Sequence, residues 1–332
     1  MNKLVCVADQ RWIGPHGIGR FATEVLSRLE YTPLAAAGNP AAPLDGIKSG
    51  MALRLKHKSA GCFFTPGYNP PLAANMPVFM TLHDLIHLDV EQESSYLKRA
   101  YYQKLILPAV KKAACVFTVS TYSKNRIVEW AGIDPDKVVA VGNGVDPIFT
   151  ENQRAHTLDE PYFLYVGNQK PHKNTEFMIR AFAKSGVRNN FLLVLSGQFS
   201  DAVSTLVDQL GITDRVKAVG FIEESDLPAW YRGASALIMP SLYEGFGLPV
   251  IEAMASNTLV LSSNRTSLPE VAGDAAYYFD PTNEQQLIEA FNFASNLENG
   301  KALRAHGIMQ AQKYKWDDVA NKIKSSLSAF TS

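Results

Sequence analysis

Cysteines, an excess of one charge and long apolar runs are scarce or missing in this sequence, and each scarcity excludes a class of protein. The 332 residues include three cysteines, none of them in a CxxC spacing: Cys6, Cys62 and Cys115. Each stands among apolar residues, so buried free thiols fit better than a disulfide framework or a zinc site. Lys plus Arg and Asp plus Glu both number 32, so no basic field indicates a nucleic-acid partner.

Signals for a membrane span or for secretion are also missing. No apolar run approaches the roughly 20 residues of a span, and the first residues lack the features of a signal peptide. We therefore expect a cytoplasmic protein. Contact with the inner face of the cell membrane is an open alternative, because the predicted helix over residues 96–114 carries five Lys and Arg residues among three tyrosines. The blander interpretation is a solvated basic helix packed on its own domain and kinked at Pro108.

Short apolar runs alternate with longer amphipathic stretches along the chain. The first run covers residues 4–8, a polar stretch over 144–160 interrupts the alternation, and a second series starts at Tyr162. Buried strands joined by helices predict parallel sheets in an α/β fold. We therefore predict two Rossmann-like domains, over 1–150 and 160–312, with ligands at the carboxyl ends of the strands.

A glycine-rich run, GIGRFA at residues 17–22, follows the first predicted strand. Gly17 and Gly19 would let backbone N–H groups approach a phosphate at a helix N-terminus. A dinucleotide site also needs an acidic residue about 20 positions further on to hold the ribose, and residues 34–39 contain none. A phosphate contact, a structural tight turn and a nicotinamide site all stay open on these residues alone.

The most informative run is EGFGLPVIE at residues 244–252, directly after a predicted strand. Pro249 suits the first turn of a helix, and the glycines leave backbone N–H groups able to reach an anion or sugar hydroxyls. Glu244 and Glu252 then lie near one helix N-terminus, where their carboxylates can accept hydrogen bonds from vicinal hydroxyls. The alternative is a favourable helix-dipole charge at Glu252 and a solvated acid at Glu244. The glycines and proline between them favour the binding interpretation.

With these residues the sequence resembles the family-4 retaining glycosyltransferases of GT-B fold, in particular the bacterial polysaccharide mannosyltransferases. Two glutamates separated by seven residues are the family's hallmark, and Glu244 and Glu252 match it. The glycine-rich loop at 17–21, an HDL element at His83 and Lys173 after a Tyr-Val-Gly run also match in order and spacing. The resemblance covers almost the whole chain.

The resemblance implies a fold and an activity. Two Rossmann-like domains would face a central cleft, the first binding the acceptor and the second the nucleotide sugar, with residues 313–332 forming a helix that packs back towards the first domain. The activity would be a retaining hexosyl transfer, with mannose from GDP-mannose favoured and UDP-glucose, UDP-N-acetylglucosamine and dTDP-rhamnose open. The acceptor would be a glycan or lipid-linked glycan in surface polysaccharide synthesis. No cofactor is implied, and because Asp134 and Asp136 lie in a predicted turn we expect no catalytic metal.

Roles for single residues also follow from the resemblance. Catalysis would rest on Glu244, Lys173 and His83. Glu252 would hold the donor ribose, Glu244 would contact the transferred sugar, and Lys173 would balance the diphosphate charge. The alternative for Lys173 is a surface lysine before a helix. The alternative for His83 is a histidine at a strand end whose hydrogen bonds are satisfied. The backbone at Gly220 would face the base. The full set of donor-binding residues would be Gly17, Gly19, Asn168, Lys173, Gly220, Phe221, Glu244, Phe246, Gly247, Leu248 and Glu252.

Two departures from the family pattern weaken the expected phosphate clamp. Asn168 and His172 stand where many relatives carry arginine, so Lys173 would do more of the work, or Arg20 or His172 would help. An NAD-dependent dehydrogenase and a carbohydrate-binding protein without turnover are the competing functions. The missing ribose acid disfavours the first, and intact Glu244, Glu252 and Lys173 disfavour the second.

Overall fold

The computed structural model describes residues 6–151 and 154–330, which divide into two compact units. Unit 1 comprises Met1–Gly144 and Lys315–Ser332, and unit 2 comprises Val145–Tyr314. Each unit has a six-stranded sheet whose strands pair in parallel. The predicted α/β fold with two Rossmann-like halves is therefore confirmed.

The sheet of unit 1 consists of β1 (Cys6–Ala8), β2 (Thr32–Pro33), β3 (Cys62–Thr65), β4 (Val78–Thr81), β5 (Cys115–Thr118) and β6 (Val138–Ala140). Their order in the sheet is β2-β1-β3-β4-β5-β6. The predicted first strand starts at residue 4, and its first two residues lie outside the described part of the chain. β1, β3 and β5 are buried throughout, as expected for strands covered on both faces. Their cysteines are buried free thiols, in agreement with the prediction.

The helices of unit 1 that precede its last strand are α1 (Gly17–Leu26), α2 (Asp45–Lys56), α3 (Ile86–Asp89), α4 (Tyr96–Tyr101), α5 (Leu107–Lys112) and α6 (Thr121–Ala131). α1 shows why such stretches fold as helices on this sheet. It buries Phe21, Ala22, Val25 and Leu26, a spacing that places the apolar side chains on one face.

The basic stretch over residues 96–114 is not one continuous helix. A π-helical segment, Tyr102–Ile106, separates α4 from α5, and Pro108 stands in the first turn of α5. Proline has no N–H for the carbonyl four residues back, and its ring crowds that carbonyl, so a wider turn relieves the clash. The predicted disruption of the helix near Pro108 is confirmed as this interruption, whereas the helix ends at Lys112 rather than at residue 114.

The sheet of unit 2 consists of β7 (Tyr162–Tyr165), β8 (Leu192–Leu195), β9 (Val216–Ala218), β10 (Ala236–Met239), β11 (Val260–Ser263) and β12 (Tyr277–Phe279). Their order is β12-β11-β10-β7-β8-β9. The chain starts in the middle at β7, runs outward to β9 and then returns to β10 on the other side. The neighbouring pair β7 and β10 is therefore the point where the strand order reverses, and such points bind ligands in open α/β sheets.

The helices of unit 2 are α7 (Ile148–Glu151), α8 (Thr175–Lys184), α9 (Asp201–Gln209), α10 (Leu227–Gly233), α11 (Leu248–Ala255), α12 (Leu268–Ala272), α13 (Glu284–Ala294) and α14 (Lys301–Ala311). Three phenylalanines tie α8 and α13 to the sheet. Phe163 of β7 lies 5.0 Å from Phe291 between ring centroids, and Phe182 lies 5.6 Å from Phe291. The mutual packing of these rings in the core fixes the helices over the strands that carry the site.

The last helix, α15 (Trp316–Ala329), belongs to unit 1 although it follows unit 2 in the chain. The Trp316 ring packs edge-on against Phe21 of α1 at 6.4 Å. Asp317 accepts from the Arg28 Nε at 2.7 Å, and the Phe330 ring packs edge-on against Phe79 of β4. The predicted return of a C-terminal helix to the first half of the chain is confirmed.

Membrane-spanning helices and metal-binding clusters are both absent from residues 6–151 and 154–330. None of the helices in these residues is both long enough and apolar enough to cross a bilayer. The same residues contain no group of three or more His, Cys, Asp or Glu side chains arranged to hold a metal ion.

Candidate functional site

Two oppositely charged side chains meet at the carboxyl edge of the unit 2 sheet, at the β7–β10 reversal. Glu244 follows β10, and Lys173 ends the 3₁₀ turn Pro171–Lys173 that follows β7. The Lys173 Nζ lies 2.7 Å from Glu244 Oε1, and both side chains are mostly buried. The Ser241 hydroxyl donates to the same carboxylate oxygen at 2.7 Å. An ion pair at this depth is screened less than one on the surface and holds both groups in a defined place.

Hydroxyls from the loop after β11 hold the backbone that follows Glu244. Thr266 Oγ1 accepts from the Glu244 N–H at 3.0 Å. The Ser267 hydroxyl lies 2.9 Å from the Glu244 carbonyl oxygen and 3.0 Å from that of Phe246. The Phe246 ring is buried and packs edge-on against Tyr314 at 5.6 Å, so only its backbone is placed to contact a ligand.

Gly247 begins α11 in a conformation that other residues rarely adopt. Its φ is 106°, and a Cβ there would lie 2.7 Å from Leu268 Cδ2, so backbone and space both require glycine. Leu248 and Pro249 then form the first turn of α11. The first N–H groups of a helix lack partners within the helix and favour anions, so this end of α11 is suited to a phosphate.

Glu252 is buried inside α11 and does not lie in the loop. Glu252 is only 4% exposed, and its Oε2 accepts from the Tyr231 hydroxyl at 2.9 Å. Tyr231 is itself buried, on α10. A buried carboxylate needs hydrogen-bond donors because its desolvation is costly. Tyr231 supplies one and fixes the orientation of the Glu252 carboxylate.

Asn168 holds the turn that follows β7. Its Oδ1 accepts from the Lys170 N–H at 3.2 Å, and its backbone carbonyl accepts from the Tyr165 hydroxyl at 2.5 Å. The side-chain oxygen is therefore used within the loop. An arginine at this position would have no such acceptor, so Asn168 shapes the loop in a way that arginine could not.

Asn174 anchors the residue next to it, Lys173, to other parts of unit 2. It adopts a φ of 58°, which asparagine tolerates better than most residues. Its Nδ2 donates to the carbonyls of Pro240 at 3.2 Å and Pro281 at 2.8 Å. His172 is buried just before Lys173, and its carbonyl accepts from the Leu242 N–H at 2.8 Å. These bonds fix the position of the Lys173 backbone at the edge of the sheet.

The loops after β8 and β9 are joined by two backbone hydrogen bonds between Gly197 and Gly220, at 2.6 and 3.1 Å. Gly220 has a φ of 74°, which again favours glycine. The next residue, Phe221, is 75% exposed. A cavity of about 340 Å³ lies between the loops after β7 and β8, lined by residues 167–170 and 196–200. These loops extend the site along the same edge of the sheet as Lys173.

In unit 1, the two glycines at the start of α1 differ in what surrounds them. A Cβ at Gly19 would lie 2.1 Å from the Gly14 carbonyl oxygen, and its N–H donates to His16 Nδ1 at 2.9 Å. A Cβ at Gly17 would meet nothing within 4 Å. Gly19 is therefore required by packing and by the His16 cap, whereas Gly17 is open to an approaching ligand.

His83 follows β4 and lies beside the first helix. Its Nε2 is 3.0 Å from the Pro66 carbonyl oxygen, and its ring packs edge-on against Phe21 at 4.9 Å. Burial lowers the pKa of His83 to about 4, outweighing the bond to Pro66, and nearby His16 lowers it further. A carbonyl only accepts, so the neutral ring carries its proton on Nε2 and leaves Nδ1 as an acceptor.

The structure therefore groups the predicted residues by unit. The residues from Asn168 to Glu252 lie along the carboxyl edge of one sheet in unit 2, with Lys173 and Glu244 in direct contact, while Gly17, Gly19 and His83 lie in unit 1. Several partners that hold these groups were not predicted from the sequence. Ser241 stands three residues before Glu244 and was within reach of a local pattern, whereas the other missed partners come from distant segments or an unusual cap: Tyr231, Thr266, Ser267 and His16.

Comparison with known proteins gives two family matches that together cover most of the chain. Residues 148–325 match the model described as glycosyl transferases group 1, and residues 57–149 match the model described as glycosyltransferase family 4. Because the first match covers more than half of the chain, the chain belongs to the glycosyl transferases group 1 family and is a glycosyltransferase.

Two curated relatives are bacterial. The O-antigen chain mannosyltransferase B of Escherichia coli is 28% identical over 73% of this chain and 68% of its own length. The O-antigen chain mannosyltransferase RfbU of Salmonella typhimurium is 32% identical over 71% of this chain and 64% of its own length. The chain thus spans about two thirds of these relatives.

Solved structures support the fold. WaaG, a glycosyltransferase involved in lipopolysaccharide biosynthesis, superposes with a TM-score of 0.76 at 15% identity and covers 98% of this chain and 99% of its own. Anabaena Alr3699/HepE, solved with UDP and glucose, gives a TM-score of 0.77 at 15% identity with the same coverage of both chains. The predicted GT-B fold class is confirmed.

Proposed function

We propose that this glycosyltransferase is a retaining hexosyltransferase that moves mannose from GDP-mannose to a hydroxyl of a glycan or lipid-linked glycan during surface polysaccharide synthesis. The observation that carries the proposal is the contact of Lys173 with Glu244 beside the Gly247-capped start of α11. It sets a cation, a carboxylate and helix N–H groups at the edge where α/β sheets bind ligands.

Each charge in this site fits one part of a nucleotide sugar. The cation of Lys173 and the amides of Gly247 and Leu248 suit a diphosphate. Glu244 keeps its contact with Lys173 through Oε1 and can accept from hydroxyls of the transferred sugar. Glu252, oriented by Tyr231, suits the ribose hydroxyls, and the backbone at Gly220 and Phe221 suits the base.

The reaction breaks the bond between the anomeric carbon and the diphosphate oxygen and forms a bond from that carbon to the acceptor oxygen. The acceptor proton passes to the leaving phosphate oxygen, so atoms and charge balance. Negative charge grows on that oxygen in the transition state, and an oriented donor aimed at it is worth about 3 kcal/mol. We assign this role to Lys173. Glu244 is committed to Lys173 and Ser241, so we favour front-face attack by the acceptor without a covalent intermediate, independent of a metal.

The activities for which its relatives are named support mannose as the sugar. Two of them are O-antigen mannosyltransferases at 28% and 32% identity. A structural neighbour at 15% identity was solved with UDP and glucose, which keeps UDP-glucose as an alternative donor, together with UDP-N-acetylglucosamine and dTDP-rhamnose. Intact Glu244, Glu252 and Lys173 disfavour a carbohydrate-binding protein without turnover.

The acceptor belongs to unit 1 in this proposal, with the segments over 66–77 and 85–95 as the specificity loops. Gly17, Gly19 and His83 act from this unit. Fewer side chains of residues 96–114 are available for the proposed membrane contact than the sequence suggests. Tyr102 is buried, and the Lys98 Nζ donates to the Glu93 carbonyl at 2.7 Å. The exposed tip of α4 at Tyr96 remains available.

A panel of nucleotide sugars tests the proposal. The chain is incubated with GDP-mannose, UDP-glucose, UDP-N-acetylglucosamine and dTDP-rhamnose, without metal, and nucleotide release is followed by chromatography. We expect GDP release from GDP-mannose to be fastest. Release from another donor would correct the sugar, and binding without release would favour a carbohydrate-binding protein.

A further inference from the structure

The outer face of α2 carries a row of large apolar side chains that point into solvent. Leu44, just before the helix, is 69% exposed, Ile47 46%, Met51 56% and Leu55 65%. Their spacing of three to four residues places them on one side of the helix. We call these four residues the α2 stripe.

The inner face of α2 explains why the large side chains point outward. Gly46 and Gly50 lie against the segment over 70–72, where a Cβ would come within 2.4 Å of the Pro70 carbonyl oxygen and 1.8 Å of the Leu72 carbonyl oxygen. Apart from Leu53, which is buried in the core, the inner face therefore consists of small or polar residues, and its two glycines approach backbone closely. A surface helix normally buries its large apolar residues, whereas α2 leaves most of its own exposed.

The charge around the α2 stripe has one sign. Between residues 31 and 83 the sequence has a single acidic residue, Asp45, and four Lys or Arg residues. Asp45 is buried and paired with Arg11 at 2.7 Å, so it presents no charge to solvent. Lys48 and Arg54 flank the stripe on the two sides of the helix. A chain with no net charge thus concentrates cations around its exposed apolar row.

A groove continues this surface beyond residues 70–72, the segment that α2 packs against. The Arg54 Nε donates to the Ala73 carbonyl at 2.7 Å, and Ala73 lines a groove of about 740 Å³. Most of its lining is apolar, and three lysines stand along it: Lys104, Lys112 and Lys137. Among the residues that the structure describes, no acid lines this groove.

We propose that unit 1 docks on an anionic lipid surface through the α2 stripe, with the flanking cations facing lipid phosphates. An apolar row bordered by Lys and Arg on a helix lying flat is the pattern that inserts side chains below the headgroups while its cations stay among them. The basic groove continues the same surface.

A second copy of this chain is the less suitable occupant. A symmetric dimer through the α2 stripe would bring Lys48 and Arg54 of each copy against those of the other, with no acid to pair them. A stable dimer also needs about 800 Å² from each partner, more than a row of four side chains offers. An anionic membrane suits both the charge and the size of this surface.

Docking through α2 goes beyond the proposed function, because it assigns the membrane contact to a helix other than 96–114. It would bring the chain close to a lipid-linked acceptor. Membrane docking and the transfer reaction can be tested independently. Lipid binding is measured without donor, and nucleotide release is measured without lipid, so either can fail alone.

The experiment is flotation of the full chain with vesicles of phosphatidylglycerol and phosphatidylcholine, and with phosphatidylcholine alone. Wild type should bind the anionic vesicles, and binding should weaken as salt is raised. The double variant Ile47→Ser with Met51→Ser should bind at least about ten-fold more weakly, because two inserted apolar side chains are lost. Both residues are exposed, so the variant should fold and keep its nucleotide release.

Two matched controls carry the same kind of change. Leu297→Ser with Met309→Ser removes two apolar side chains of similar exposure, 57% and 56%, from unit 2 and should bind vesicles like wild type. Tyr96→Ser with Leu97→Ser tests the tip of α4 and should weaken binding less than the α2 variant does. Vesicle binding unchanged in the α2 variant, or no binding by wild type, would overturn the proposal. So would light scattering that shows a dimer which the α2 variant dissociates.

Discussion

Lys173 and Glu244 lie 71 positions apart in the chain, and their Nζ and Oε1 atoms are 2.7 Å apart at the carboxyl edge of one sheet. The two groups come from loops after neighbouring strands, β7 and β10. Each was identifiable in the sequence, but their contact was not, because it depends on strand order. The pair brings a cation to a carboxylate that lies three residues before Gly247, the N-cap of α11.

This pair should stabilise the protein even without donor. In a double-mutant cycle of Lys173→Ala and Glu244→Gln, we expect a coupling of about 1 kcal/mol in the free energy of unfolding, since the pair is mostly buried. The control cycle uses Lys184 and Glu284, whose Nζ and Oε1 are 2.6 Å apart with the lysine exposed, and should give roughly 0.5 kcal/mol or less. Equal coupling in the two cycles, measured by urea unfolding, would show that the site pair is not special.

Tyr231 should matter to donor binding through Glu252. Tyr231→Phe removes the hydroxyl that donates to the Glu252 carboxylate, so the donor KM should rise roughly five- to ten-fold, as expected for about 1 kcal/mol. The matched control is Tyr162→Phe, which loses a buried bond to the Trp230 carbonyl at 2.8 Å. Both variants should lose similar thermal stability. A rise in KM for both, or for neither, would contradict the positioning role of Tyr231.

The two glycines at the start of α1 allow a role in packing to be distinguished from a role in donor binding. Gly19→Ala should lower the melting temperature clearly, because its Cβ would collide with the Gly14 carbonyl. Gly17→Ala meets no neighbour and should leave the melting temperature unchanged within error. If Gly17 serves a donor phosphate, nucleotide release should still fall in Gly17→Ala. Full activity in that variant would assign the loop a structural role only.

How much of this site the sequence could predict is clear from single residues. Gly247 was predictable, because a positive φ and the close approach of Leu268 both favour glycine, and glycine is visible in the sequence. Glu252 was found by spacing, but its partner Tyr231 lies 21 positions earlier on another helix, and nothing in the sequence links them. The π-helical segment before Pro108 was predictable only as a disruption of the helix. The exposed apolar row of α2 was not predicted, because only the close approach of Gly46 and Gly50 to residues 70–72 shows which face points inward.

His83 should make stability depend on pH in a defined window. Its pKa falls from about 6.5 in the unfolded chain to about 4 in the folded protein, so the unfolded state binds the extra proton between these values. Stability is therefore greatest above pH 6.5, falls as pH drops towards 4 and levels off below it, by on the order of 3 kcal/mol in all. His83→Gln should reduce this slope in urea unfolding at a series of pH values, leaving the contributions of His57 and His87, whose pKa values burial also lowers. A ring titration near pH 6.5 by NMR would contradict the burial of His83.

In the proposed reaction, Lys173 stabilises a departing nucleotide diphosphate. The direct measurement is the kcat for GDP release from GDP-mannose by wild type, Lys173→Ala and Lys173→Arg, each checked for folding by its melting temperature. We predict a loss of roughly 100-fold in Lys173→Ala, in line with about 3 kcal/mol of transition-state stabilisation, and partial recovery in Lys173→Arg. A folded Lys173→Ala protein that turns over GDP-mannose at a near-normal rate would contradict the account.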